Sequence, residues 1–337
     1  MLTGKLLSIG SNGNLSDMEN ILDEFSGNVS SMYFPLPSTI CGNGRSRNRV
    51  QSIEETIRHI QLSRRYHVES FALMNSTTEG GHELTSNFER QIKETLNLLL
   101  AEGVDGLVTN HPLICSWADS IRQEKSRPFT IKIGLWSEIS YPRDIEVFSQ
   151  FGADAFSINF DMNRNFPVLE TIRHSTPKRL ILLANNGCIY RCPYRYFHRG
   201  LQSLYSRMTR EEQRAIQTNG SYFELCGKYL KSHPLDLVRT PFIRPEDVRI
   251  YLNMGFDEIK LSTRNHPYRV MREVIKCYVD ERYEGDICNL LFKHIKNDLR
   301  FDNRLFDGIV EKIRNEPERE QELLEDYILR NNAALIG

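Results

Sequence analysis

The stretch Asn185-Asn186-Gly187-Cys188-Ile189-Tyr190-Arg191-Cys192-Pro193-Tyr194-Arg195-Tyr196-Phe197-His198 concentrates the residue types that do chemistry. Cys188 and Cys192 stand four apart, so one turn of chain can present two thiolates to a single metal or cluster. Soft thiolates suit iron–sulfur clusters or zinc. A radical-type Cys triad would need a third Cys at position 195, where the chain has Arg195. Further ligands must come from elsewhere. Cys226, in Tyr222-Phe223-Glu224-Leu225-Cys226, and Cys41, in Thr39-Ile40-Cys41-Gly42-Asn43-Gly44, are the candidates. Each of the four is also readable as a small buried hydrophobe. Cys115 and Cys277 fall in helical patterns and Cys288 lies past the last strand, so these three read as packing.

Around the pair runs a cationic segment. Between Cys188 and Arg210 stand five arginines (Arg191, Arg195, Arg199, Arg207, Arg210), one histidine and no acid. Arg45, Arg47 and Arg49 form a second group. Guanidinium forks bind carboxylates or phosphates in pairs of hydrogen bonds; the bland alternative is a solvated face balanced by distant acids. The whole chain is nearly neutral, with 43 Lys and Arg against 44 Asp and Glu. A small carboxylated ligand therefore explains the local density better than a nucleic acid does. Arg191 and Arg195 are candidates to act on such a ligand, and His198, in the same loop, is the candidate acid–base group. Asn186 lies in this loop as well. At other strand ends stand Asn75, Asn110 with His111, Glu138, Asn163 and Arg264. Asn75 and Asn110 read equally well as helix caps. No Ser–His–Asp order, His-Glu-x-x-His or Walker loop appears.

The elements that must position these residues follow a recurring pattern. Helix-like stretches end in Gly-X-Asp before a short apolar run: Gly103-Val104-Asp105, Gly152-Ala153-Asp154 and Gly255-Phe256-Asp257. Glycine supplies the left-handed residue past a helix end. Short apolar strands between helices indicate a parallel sheet covered on both faces. Eight strands are expected, at Leu6–Ile9, Ser30–Phe34, Ser70–Met74, Leu107–Asn110, Ile131–Leu135, Phe156–Phe160, Leu180–Ala184 and Glu258–Ser262. Helices are expected over Ile53–Tyr66, Asn87–Ala101, Arg143–Phe151 and Val168–His174. Eight such units in about 280 residues predict a (β/α)8 TIM-type barrel; a doubly wound open sheet is the rival. The barrel is expected over residues 1–283, with a long insertion after strand 7 at about 185–257, and a helical C-terminal extension over 284–337. In such a barrel the site lies at the C-terminal ends of the strands. No run of apolar residues is long enough to span a membrane. The acids Asp17, Glu19, Asp23 and Glu24 argue against a secretory leader. A cytoplasmic protein with seven reduced cysteines is expected.

Three segments together resemble the collagenase-like peptidase family U32: residues 185–198, Phe242-Ile243-Arg244-Pro245-Glu246-Asp247-Val248, and Gly255-Phe256-Asp257-Glu258-Ile259-Lys260-Leu261-Ser262-Thr263-Arg264. The resemblance implies a barrel enzyme. It further implies a 4Fe–4S cluster on Cys188, Cys192, Cys226 and Cys41, and oxygen-independent hydroxylation with prephenate as co-substrate. Substrate contacts would fall to Arg45, Asn75, Asn110, Asn186 and Arg264. The family name implies a peptidase instead. A third reading is a non-catalytic cluster-carrying subunit, paired with a protein or peptide partner such as a related barrel.

Overall fold

The computed structural model describes residues 1–45, 52–215, 222–264, 266–291 and 300–336, leaving aside the side chains of 210, 214, 222–224 and 333–336. Eight parallel strands close in sequence order into a barrel. They are β1 (Leu7–Gly10), β2 (Val29–Pro35), β3 (Glu69–Met74), β4 (Gly106–Thr109), β5 (Thr130–Ile133), β6 (Ala155–Ser157), β7 (Arg179–Leu183) and β8 (Glu258–Lys260). Closure comes from β1 pairing with β8, Leu7 opposite Ile259 and Ser8 opposite Lys260. The (β/α)8 expectation holds and the open sheet is excluded. Helices α1 (Leu15–Phe25), α2 (Ile53–Arg65), α3 (Ser86–Ala101), α4 (Pro112–Lys125), α5 (Pro142–Ser149) and α6 (Phe166–Ser175) alternate with the strands. No helix among the described residues is long and apolar enough to cross a membrane.

The Gly-X-Asp pattern has a structural cause. Gly103, Gly152 and Gly255 are left-handed, with φ of 84°, 90° and 90°. The Asp two residues on then turns back to the neighbouring strand. Asp105 accepts from the Ser70 amide at 2.8 Å, Asp154 from the Ile131 amide at 2.9 Å and Asp257 from the Leu180 amide at 2.8 Å. Each carboxylate satisfies the first free N–H of a strand and so fixes register at the bottom of the barrel.

The segment after β7 is mostly helical: α7 (Arg195–Arg207), α8 (Arg210–Ala215), α9 (Tyr222–Ser232), α10 (Leu235–Arg239) and α11 (Val248–Asn253). After β8 come α12 (Tyr268–Asp280), α13 (Ile287–Leu290), α14 (Ile309–Asn315) and α15 (Glu320–Ile336). The C-terminal extension shares the barrel's outer core through Leu290, Phe301, Phe306 and Tyr327. Arg244, 1% exposed, anchors it. Its guanidinium forks onto Asp247 (2.8 and 3.0 Å) and also reaches Asp307 and the Asn303 carbonyl, both at 2.8 Å. Glu246 accepts from the Tyr283 amide and the Asn303 side chain. The Arg-Pro-Glu-Asp motif is thus a clamp between insertion and extension.

The barrel axis is polar. Glu258 accepts from Ser30 and Ser31 at 2.6 Å, from Lys132 at 3.0 Å and from Arg179 at 2.9 Å. Burial alone would raise its carboxyl pKa. The cations Lys132 and Arg179 and the two serine hydroxyls outweigh burial and hold it at about 2, below the ordinary 4.5. Its stabilising contribution is therefore complete above pH 4.5 and is lost as pH falls towards 2. Glu258→Gln should cost about 3–5 kcal/mol at pH 7, because it strands buried cations. Urea unfolding across a pH series should show the gap to wild type closing below pH 4.5. A gap independent of pH would remove Glu258 from the role of charge centre.

Candidate functional site

Helix α7 lies across the C-terminal ends of the strands with its polar face inward. Arg195, Arg199, Gln202, Ser203 and Ser206 are buried, while Tyr196 and Phe197 are exposed. Each inward group meets a different βα loop. Arg195 forms a bidentate pair with Asp161 beyond β6, at 2.5 and 2.8 Å. Arg199 reaches Glu138 beyond β5 at 2.6 Å and lies 4.3 Å over the Trp136 ring. Ser203 accepts from the Thr77 amide beyond β3 at 2.8 Å, and Ser206 from the Asn43 amide beyond β2 at 2.9 Å. Arg207 pairs with Glu79 at 2.6 Å, and Glu79 also takes the Gly42 amide and the Ser76 hydroxyl.

These contacts correct the expectation that the arginine run is free to bind a carboxylated ligand. The run contains no acid, but neighbouring loops deliver three. The Arg195 fork is taken by Asp161, so Arg195 positions the loop. Asp161 also accepts from the Arg191 amide at 3.3 Å, where the backbone is left-handed with φ of 47°. A non-glycine residue held there marks a tightly specified turn. Asp161 was invisible in sequence because the sixth strand reads as continuing through Phe160. It ends instead at Ser157, and the Asn159 side chain caps the Asp161 amide, turning the carboxylate inward.

Beside this loop is an open cavity of about 470 Å³, lined by Glu138, Asp161, Arg191, Cys192, Arg195 and Arg199 among others. Its arginines face two carboxylates, Asp161 and Glu138. His198 lies on α7 with Nε2 3.0 Å from Gln202 Nε2. Arg47 and Arg49 lie outside the described residues.

The cysteines do not assemble as a cluster would require. Four thiolates must converge on one cubane. Among the described residues, which include all four candidates, no group of three or more His, Cys, Asp or Glu side chains could hold a metal ion. Cys41 is fully buried, with its thiol 3.9 Å from the Leu73 carbonyl. Burial, then Glu79, push its pKa well above the ordinary 9.0. Cys226 packs partly buried against the outer core. Cys188 lies near Arg195 and Arg199, and its carbonyl accepts from Thr240 at 2.7 Å. In this arrangement the residues do not fit a four-cysteine cluster.

A second polar centre lies at the mouth of the barrel. Arg45 donates to Ser262 Oγ at 2.7 Å, and Arg264, 7% exposed, donates to Asn43 Oδ1 at 3.2 Å. Lys260 sits with Nζ 4.1 Å from the centre of the Tyr33 ring. Among the described residues none of these cations has a carboxylate within ion-pair distance. Burial and then Arg45 lower Arg264 to about 9. The Asn43 and Asn186 side-chain amide nitrogens are buried with no acceptor among the described residues. Asn75 and Asn110 tie the rim together and do not cap helices: Asn75 accepts from the Gly44 amide at 3.2 Å, and Asn110 donates to the Asn75 carbonyl at 2.5 Å. The capping role falls to His111, which takes the Leu113 amide at 3.3 Å. Asn163 bonds the Leu183 and Pro241 carbonyls, a structural role. Lys260 was missed in sequence because a lysine inside a short apolar strand carries no spacing signal.

Asp161→Asn should free the turn at 188–195 and cost about 3–5 kcal/mol, as for one partner removed from a buried pair. Thiol labelling of the native protein is the check. Cys188 and Cys192 should label faster in the variant, while Cys41 stays protected. Equal rates in both proteins would mean that Asp161 does not hold the loop.

The chain matches no protein-family model. It is 25% identical over 283 residues to an uncharacterized protease of Methanocaldococcus jannaschii, covering 83% of this chain and 81% of that protein. The structure of the U32 peptidase Mk0906 superposes with a TM-score of 0.54 at 16% identity, over 77% of this chain and 93% of that one. The second likeness speaks for the fold. With the motifs around Cys188, Arg244 and Arg264, sequence and barrel agree that this chain resembles the U32 peptidases.

Proposed function

We propose that the chain is a U32-type barrel enzyme acting on a small carboxylated molecule held at the mouth of the barrel by Arg45 and Arg264. The observation that carries this is three cations, Arg45, Lys260 and Arg264, with no paired carboxylate among the described residues, beside a buried Asn43 amide that has no acceptor. Arg264 is buried and Lys260 half-buried, with the exposed Arg45 at the rim; such unpaired like charges destabilise the empty protein, and a bound carboxylate offsets that cost. Prephenate, the co-substrate implied by the family resemblance, carries two carboxylates and suits the site. Oxygen-independent hydroxylation would rest on a cluster that the cysteines do not assemble, so no cluster-dependent step enters this reading.

The peptidase alternative rests on the name of the Methanocaldococcus relative. It needs an activated nucleophile. Burial pushes the thiols of Cys115 and Cys277 up to about 12 and raises Cys41 as well, so these three are not activated, and a thiol nucleophile would have to come from the loop that carries Cys188 and Cys192.

Calorimetric titration of prephenate and of succinate tests the proposal. Each should bind wild type, and Arg264→Gln should weaken binding about ten- to a hundredfold, since a charged hydrogen-bonded contact contributes roughly 1.5–3 kcal/mol. Unchanged affinity in the variant would remove the mouth from ligand binding. Release of new N-termini from gelatin by the wild-type chain would favour the peptidase.

A further inference from the structure

Strand alternation places Glu258, Lys260, Ser262 and Arg264 at every second position along β8 and the segment that follows. Glu258 and Lys260 both face the barrel axis, where they line one small cavity with Tyr33, Phe71 and Lys132, roomy enough for about one water. Glu258 is spent on Lys132, Arg179, Ser30 and Ser31. Lys260 stands one layer higher and half-buried, with its amine over the Tyr33 ring. The Tyr33 hydroxyl is itself committed to the Leu261 carbonyl at 2.7 Å. Beyond Lys260 lie the two arginines of the mouth.

We propose that Lys260 is a covalent, imine-forming residue for a carboxylate that carries a carbonyl group, a 2-oxo acid, with Arg264 and Arg45 holding the carboxylate. The inference rests on the mouth being the carboxylate site. The neutral amine adds to the carbonyl carbon and a nitrogen proton passes to the carbonyl oxygen. The resulting hydroxyl leaves with the second nitrogen proton as water. One C–O double bond is replaced by one C–N double bond, and no oxidant or reductant is needed. The imine then withdraws electrons from the adjacent carbon, which activates it for proton loss or bond cleavage.

The surroundings suit this role. The groups facing Lys260 are Tyr33 on β2, Lys132 on β5, Glu258 on its own strand, and Arg264 and Arg45 at the mouth. Burial, then Arg264 and Lys132, lower the lysine from 10.5 to about 7, against the opposing pull of Glu258. A lysine lowered so that a sizeable fraction is neutral at pH 7, by desolvation beside other cations, is a recognised route to an amine nucleophile. The same arginines that hold the carboxylate thus also activate the amine.

Incubation of the full chain with pyruvate and sodium cyanoborohydride at pH 7, followed by peptide mass mapping, tests the proposal. One reduced adduct per chain on Lys260 is expected, at least tenfold faster than on any other lysine, and absent from Lys260→Met and Lys260→Arg. Adducts spread evenly over surface lysines, or undiminished total labelling in Lys260→Met, would overturn it. Succinate has no ketone, so it separates the two proposals. If succinate binds by calorimetry and no Lys260 adduct forms, the imine is wrong and the carboxylate site stands. If the adduct forms and excess succinate does not slow it, the imine stands and the arginine site is wrong. A circular-dichroism spectrum and a thermal unfolding midpoint matching wild type would show that Lys260→Met is folded, so that its missing adduct reports the lost amine.

Discussion

The arrangement at the top of the barrel depends on one buried pair, Asp161 with Arg195. A helix that turns two arginines, a glutamine and two serines towards the protein would be expelled into water unless each found a partner. Asp161 supplies the strongest, two parallel bonds to a guanidinium that also lies 4.3 Å from the centre of the Phe160 ring. With that end of α7 pinned, Arg199, Ser203, Ser206 and Arg207 fall against the loops after β5, β3 and β2. One helix therefore cross-links loops that are far apart in sequence, adding to the direct bonds from the Gly42 and Gly44 amides to Glu79 and Asn75. The cysteine turn at 188–192 hangs from the same carboxylate through the Arg191 amide. Precision in these loops comes from paired charge more than from apolar packing, because the outward face of α7 is the aromatic one.

Charge along the barrel axis separates into two layers. In the lower layer one carboxylate, Glu258, gathers two cations and two hydroxyls and is satisfied. In the upper layer Lys260, Arg264 and Arg45 gather no carboxylate among the described residues. Uncompensated cations in a partly desolvated place destabilise a protein, and such a cost persists where a ligand or a reaction uses the charge. The ten residues from Gly255 to Arg264 span both layers: Asp257 fixes register, Glu258 closes the lower network, and Lys260 and Arg264 define the upper one.

The eight strands and most helices were legible because short apolar runs, helix periodicity and Gly-X-Asp repeat along the chain, and each is a local consequence of backbone geometry. Boundaries shifted by a residue or two except at β6. There an apolar run hid a turn that only the Asn159 cap reveals. The chemistry was legible as residue types and not as partnerships. Arg195 and Arg199 read as free forks because Asp161 and Glu138 stand more than thirty residues upstream, and no spacing rule joins them. Cys41 was placed correctly beyond the second strand, yet its thiol lies in the outer core cluster.

The segments that carry the family resemblance therefore differ in what they do here. Arg244, Glu246 and Asp247 join the insertion to the C-terminal extension, through one guanidinium that bonds Asp247, Asp307 and a carbonyl at once. Such a residue is demanded by architecture whatever the substrate. Lys260 and Arg264 have no comparable structural use, since Tyr33 and Asn43 could be satisfied by uncharged neighbours at lower electrostatic cost. A motif can thus identify a fold through its clamp and a chemistry through its unpaired cations. In this protein the unpaired cations lie at the end of the last strand, and the loop richest in arginine is the one most fully neutralised.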